Sequence, residues 1–267
     1  MTVRTPEDEA AIDATKAPLL DHLIELRKRI IYSLIALAIA FAICFGFATQ
    51  IFNFLVEPLA HAAPHHRLIY TGVAESFFTH VKLGMFAGIC LSFPVIASQV
   101  WMFVAPGLYK QERNAFLPFL LATPVLFILG AAFVFYVMLP FAIRFFAGYE
   151  TAGGPNTLPI EMEPRVSEYL DFVTTLIFAF GLTFQMPVLL SLLGKVGIVN
   201  SAQLKSARRY AYLGITVVAA ILTPPDFISP FTLMIPLILL YEVSIWCVKL
   251  IEKNRAKDDA AKAAAQT

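Results

Sequence analysis

A chain of 267 residues that is 58% hydrophobic and only 15% charged, with mean hydropathy +0.72, departs from soluble domains, which run about 45–50% apolar and 25% charged. In water it would expose too much apolar surface, which excludes a soluble enzyme, a disordered chain and a nucleic-acid binder. Lipid is the alternative solvent, and the net charge of +1 then matters less than where the 20 Lys/Arg and 19 Asp/Glu fall.

The first 18 residues are polar and rich in acids, with no apolar stretch ahead of a small-residue cleavage site. A cleaved signal peptide is therefore not expected, and the first span acts as its own insertion signal. Leu19 to Arg29 (LLDHLIELRKR) follows as an interfacial amphipathic helix. At 100° per residue Asp21, Glu25, Lys28 and Arg29 share one face, and Leu20, Leu23 and Ile24 share another. Arg27 falls on the apolar side, where it snorkels or meets a phosphate or carboxylate.

Four uncharged runs then locate spans: Ile30–Val56, Leu83–Tyr109, Asn114–Ile143 and Phe172–Gly194. Each reaches the roughly 20 residues a helix needs to cross ~30 Å of hydrocarbon, and none alternates as a barrel strand does. Between the first two, Ile51–Leu59 (IFNFLVEPL) reads as chain leaving the span along the membrane surface and turning at Pro58. The motif Gly84-x-x-x-Gly88 allows close helix approach. Pro94, Pro118, Pro124, Pro140 and Pro187 promise bends. The connection Ala105–Arg113 is short and places Glu112 at the start of the next helix, where the macrodipole favours a carboxylate. For Glu25 and Glu112 alike, an intramolecular Lys or Arg partner is the plain alternative to a binding role.

The last two segments are shorter. Tyr210–Pro225 holds 16 uncharged residues and Phe227–Tyr241 holds 15. They are either two short spans in a thinned bilayer or a re-entrant hairpin turning at Thr223-Pro224-Pro225-Asp226. Both return the chain to the side it started from. Of the 20 basic residues, 16 lie in the N-terminal segment, the second-to-third and fourth-to-fifth connections and the tail, which makes those flanks and both termini cytoplasmic. The expected fold is all-α: a polytopic membrane protein of six transmembrane helices, the fifth and sixth short, bent into a concave bundle. A polar tail over 1–18, a membrane domain over 19–252 and a polar tail over 253–267 complete the organisation.

No HExxH, GxSxG, P-loop or GxGxxG motif occurs, so neither an enzyme nor a cofactor is expected. His61, His65 and His66 share a loop with Pro64 but lack the Cys or paired carboxylates of a metal set, and no metal is expected. Cys44, Cys90 and Cys247 stand alone in apolar spans and read as packing residues. A transporter is the rival class, with Lys82, Gln185 and Glu242 as intramembrane polar candidates, yet matched repeats and a relay of carboxylates are missing. An amide such as Gln185 costs several kcal/mol in lipid unless paired, either within the chain or with another subunit's helix. For Lys82, pairing with Glu75 or Glu57 and snorkelling outward all remain open.

Five stretches resemble the TatC family, the receptor subunit of the twin-arginine protein translocase. They are Leu23–Arg29 (LIELRKR), Glu57–Leu59 (EPL), Gln99–Arg113 (QVWMFVAPGLYKQER), Phe180–Val188 (FGLTFQMPV) and Leu222–Asp226 (LTPPD). They run in family order from about residue 20 to 255. The resemblance implies a receptor in the bacterial inner membrane that binds paired arginines of signal peptides on folded cargo. It implies single-span TatA-like and TatB-like partners, several copies per assembly, and export driven by the proton-motive force. It assigns signal-peptide recognition to Glu25 and Glu112, with Arg27 and Phe103 on the same surface, and gives Pro58 and Asp226 roles in external loops. Partner helices would dock on the short fifth and sixth spans, at residues such as Tyr210, Leu213 and Thr216, and near the fourth-span polar residue. That residue is often Glu in the family and is Gln185 here, which exchanges hydrogen bonds but cannot carry a titrating proton.

Overall fold

The computed structural model describes residues 6–63, 67–104, 117–154, 158–222 and 228–264. Helix α1 (Pro6–Gly46) carries the amphipathic segment and the first span as one rod, because neither Gly nor Pro interrupts residues 19–45. A turn at Phe47 leads into α2 (Ala48–Ala62), and α3 (Glu75–Val104) returns across the bundle. Helix α4 (Leu117–Phe133) passes through a π-helical turn at Val134–Met138 into α5 (Leu139–Ala147). There follow α6 (Val166–Thr183), α7 (Met186–Val196), the single turn-and-a-half α8 (Ser201–Ser206), α9 (Arg208–Leu222) and α10 (Ile228–Ala264).

Five stretches among the described residues are long and apolar enough to cross a membrane: His22–Gly46, Glu75–Phe103, Phe119–Ala147, Val166–Val196 and Pro230–Lys257. The fifth segment in chain order, α9, has 15 residues and rises only about 22 Å, as its short uncharged run predicts. The sixth is different. Its uncharged run ends at Glu242, but α10 continues, because Arg208 and the Tyr212 hydroxyl both donate to that carboxylate. A neutralised acid does not end an apolar helix.

Pro140 and Pro187 mark breaks in the long helices, whereas Pro94 and Pro124 lie inside continuous α3 and α4. Pro140 has no N–H to give, and just ahead of it the ladder slips by one residue, the Leu139 N–H donating to Val134 O five residues back. Helix α6 ends before Pro187, and the Phe184–Gln185 corner joins it to α7 with Pro187 in the first turn. Pro58 is a correction. The chain does not turn there; α2 runs through it to Ala62. Leu55, Pro58 and Leu59 are all buried, and burying two leucines at about 1.5–3 kcal/mol each outweighs the roughly 3 kcal/mol that an interior proline costs. The Tyr169 hydroxyl of α6 also donates to Leu55 O at 2.9 Å, clamping α2 to the core.

Helix α1 packs along α3, and Gly84 and Gly88 make that approach possible. A Cβ on Gly88 would lie 2.9 Å from Phe41 Cα, and one on Gly84 would lie 3.1 Å from Phe45 Cα. The main core joins α2, α3, the π-helical turn with α5, α6, α9 and α10 through residues such as Leu55, Leu83, Met138, Phe180, Ala219 and Leu237. A second cluster, Ala97, Trp101, Val188 and Leu192, ties the end of α3 to α7. Contacts then run from α7 to α10, where Val248 crosses Gly194, and from α8 to α10, where Glu252 accepts from Ser201 N at 2.8 Å. The segments near Glu25, Phe103, Lys195 and Glu252 thus share one end of the bundle. At the other end Glu75 accepts from Thr71 N and Gly72 N and from the Ser167 hydroxyl, joining the starts of α3 and α6.

Candidate functional site

Glu25 stands four residues before Arg29 on α1, so helical periodicity alone places the two side chains together. Arg29 Nη2 donates to Glu25 Oε1 at 3.0 Å, and the two side chains are 27% and 31% exposed, respectively. The same guanidinium crosses to α3. Its Nη1 donates to Gln99 Oε1 at 3.2 Å and approaches Met102 Sδ at 3.6 Å. One residue further on, the half-buried Phe103 ring stacks on His22 with centroids 4.3 Å apart and planes 22° apart. A carboxylate, a guanidinium, an amide and an aromatic pair thereby gather where the start of the first span meets the end of α3.

Of the residues expected on this surface, the structure brings Glu25 and Phe103 to one cluster and leaves Arg27 exposed, about 200° round α1 from Glu25. Glu112 and Asp226 lie outside the described residues. Arg29, Gln99, Met102 and His22 were missed as members. The i,i+4 spacing of Glu25 and Arg29 was the available signal; the α3 residues needed the α1–α3 crossing to be known. Chemically, the cluster is a partly desolvated acid already holding a guanidinium, set beside an aromatic face.

Gln185 is buried at the α6–α7 corner, 7% exposed. Its Nε2 donates to Thr123 O on α4 at 2.8 Å, while its Oε1 is buried with no hydrogen-bond partner among the described residues. Intrachain pairing therefore satisfies half of the amide. Tyr210, Leu213 and Thr216 lie exposed on α9, Tyr210 beneath the Arg209 guanidinium and Thr216 donating back to Tyr212 O. They sit on α9, which packs on α10, whereas Gln185 lies at the α6–α7 corner.

The remaining intramembrane candidates are paired within the chain. Lys82 Nζ meets neither Glu75 nor Glu57 but bridges Asp171 of α6 at 2.9 Å. Asp171 was overlooked because it lies 89 positions away, in a stretch whose only signal is being the last acid before an apolar run. Glu242 holds Arg208 and Tyr212. His61 lies 3.6 Å from Glu57 on α2, and His65 and His66 fall outside the described residues.

Comparison with known proteins agrees with this architecture. Residues 21–236 match the family model TatC, Sec-independent protein translocase protein. Among curated relatives named Sec-independent protein translocase protein TatC, that of Magnetococcus marinus is 46% identical over 250 residues, covering 93% of this chain and 90% of its own. The Escherichia coli protein is 38% identical over 246 residues, covering 91% and 92%. A crystal structure described as the twin arginine translocase receptor TatC superposes with a TM-score of 0.73 at 38% identity, covering 86% of this chain and 99% of that one. With five stretches among the described residues fit to cross a bilayer, the protein is a multi-pass membrane protein and a component of the protein translocase. The chain belongs to the TatC family of Sec-independent protein translocase proteins.

Proposed function

We propose that this chain is the receptor of the twin-arginine system, binding paired-arginine signal peptides at the cytoplasmic end of its bundle through Glu25 and Glu112. What supports the reading is the TatC family match together with the part-exposed Glu25 carboxylate in the cluster that holds Phe103; its Arg29 pair is the intramolecular partner the sequence allowed, and a binding role requires that pair to open. An arginine never loses its charge and meets a carboxylate with two parallel hydrogen bonds, each charged bond contributing on the order of 1.5–3 kcal/mol. A lysine brings a point charge without the fork. Two acids at this rim match two consecutive arginines, and Arg27 and Phe103 border the path of the peptide. The apolar part of the signal then lies against the broad lipid-facing surface of α1, where Ile31, Leu34 and Ile35 are exposed.

In this reading the working unit is the 19–252 membrane domain, with both termini in the cytoplasm and the protein in the bacterial inner membrane. It presents cargo and does no covalent chemistry itself. Single-span TatA-like and TatB-like subunits dock on the exposed α9 face at Tyr210, Leu213 and Thr216 and near the α6–α7 corner that holds Gln185. Pro58 and Asp226 serve at the outer face, and several copies assemble while the proton-motive force drives export. The test is photocrosslinking of a twin-arginine signal to Glu25→Gln, Glu25→Lys, Glu112→Gln and Glu112→Lys variants. The reading expects a graded loss, deepest for Lys; undiminished crosslinking in all four removes the assignment.

A further inference from the structure

We infer that Arg29 is an internal guanidinium ligand of Glu25, a tethered competitor that an incoming cationic peptide displaces. The inference rests on the proposed role of Glu25 in signal-peptide binding. Glu25 Oε1 is filled, at 3.0 Å, by the same chemical group it is proposed to receive from cargo. The occupant is tethered one helical turn away on the same helix, so its effective concentration at the acid is high. Its hold is limited, because it reaches the carboxylate through Nη2 while Nη1 is turned toward Gln99 and Met102. A free arginine that approaches with both prongs makes one more charged hydrogen bond than this tethered one, whereas an ammonium has no second prong to offer.

Displacement does not orphan Arg29. Gln99 Oε1 and Met102 Sδ remain beside it on α3, ready to hold a guanidinium swung away from the acid. A tethered competitor weakens every cationic ligand by one common factor. It leaves the ratio between twin-arginine and twin-lysine peptides unchanged, but moves the weaker ligand below the concentration at which it occupies the site. Arg29 thus sets a threshold, and the fork geometry of the peptide supplies the discrimination.

The alternative role, a clamp that orients Glu25, predicts the opposite sign. The experiment compares the full chain in lipid nanodiscs with its Arg29→Gln, Arg29→Lys and Glu25→Gln variants. It measures the affinity of fluorescent twin-arginine and twin-lysine signal peptides. Arg29→Gln should tighten both peptides in parallel by roughly 1.4- to fivefold, the fold-change that corresponds to losing a partly exposed ion pair. Arg29→Lys, which keeps the charge but not the fork, should tighten them less. If Arg29→Gln fails to fold, the direction of the Arg29→Lys change decides. Unchanged or weaker binding in the Arg29 variants, with binding still lost in Glu25→Gln, overturns the inference and makes Arg29 a clamp. Full binding by Glu25→Gln overturns the receptor role of Glu25, and with it this inference.

Discussion

Replacing Gly88 by alanine tests whether the α1–α3 crossing sets the geometry of the Glu25 cluster. The added Cβ would meet Phe41 Cα at 2.9 Å and Phe41 N at 3.0 Å. Both are backbone atoms, so no side chain can swing aside, and relief requires the helices to part by about 0.5–1 Å. Overpacking of this kind costs about 1–3 kcal/mol. Alanine also gains about 0.8–1 kcal/mol over glycine in helix propensity, which masks part of the effect. Gly214→Ala is the control, since nothing lies within 4 Å of its added Cβ and only the propensity gain remains. The difference between the two variants cancels propensity and leaves the clash. In one detergent, Gly88→Ala should melt below Gly214→Ala by about 2–4 °C per kcal/mol of that difference. Gly88→Ala should also weaken signal-peptide binding, because Gln99 and Phe103 ride on the same helix about 16–22 Å further along. Equal melting temperatures for the two variants would refute the close-approach argument.

Gln185→Leu removes the buried hydrogen bonds from Nε2 to Thr123 O and Gly181 O together with an unpaired buried oxygen, so stability should change by no more than about 1 kcal/mol, while crosslinking of a single-span partner to a cysteine at Leu213 falls. Lost folding in place of lost partner capture would show the amide to be purely structural. Lys82 and Asp171 are 62% and 55% exposed, and a double-mutant cycle should return a coupling of about 0.2–1 kcal/mol. A coupling above about 2 kcal/mol would contradict a headgroup-level position for the pair. Glu252→Ala should release the start of α8, costing about 0.5–2 kcal/mol and speeding amide exchange at Ser201, since Glu252 accepts from both its N–H and its hydroxyl.

The sorted charges and uncharged runs made the helical spans legible, and the Gly84–Gly88 spacing announced the close approach of α1 and α3. What escaped the sequence had one common cause: partners far apart in the chain. Charge counting ended the sixth segment at Glu242 because the neutralising Arg208 sits 34 positions earlier. It left Lys82 without Asp171 for the same reason. Pro58 read as a turn because a proline's local cost is visible in sequence, whereas the burial of Leu55 and Leu59 that offsets it is a property of the packed core. Of the candidate site, Glu25 and Phe103 were legible through resemblance, and Arg29 through its i,i+4 spacing. Gln99 and Met102 became part of it only through the crossing of α1 over α3.

The most direct test of the central claim is the affinity of the purified chain, in lipid nanodiscs, for a signal peptide bearing paired arginines against the same peptide bearing paired lysines. If carboxylates at the cytoplasmic end read the guanidinium fork, the arginine peptide binds at least about tenfold tighter, the equivalent of one charged hydrogen bond. The Glu25→Gln variant should then lose most of that preference. Equal affinity for the two peptides, or a preference untouched in Glu25→Gln, would contradict the account.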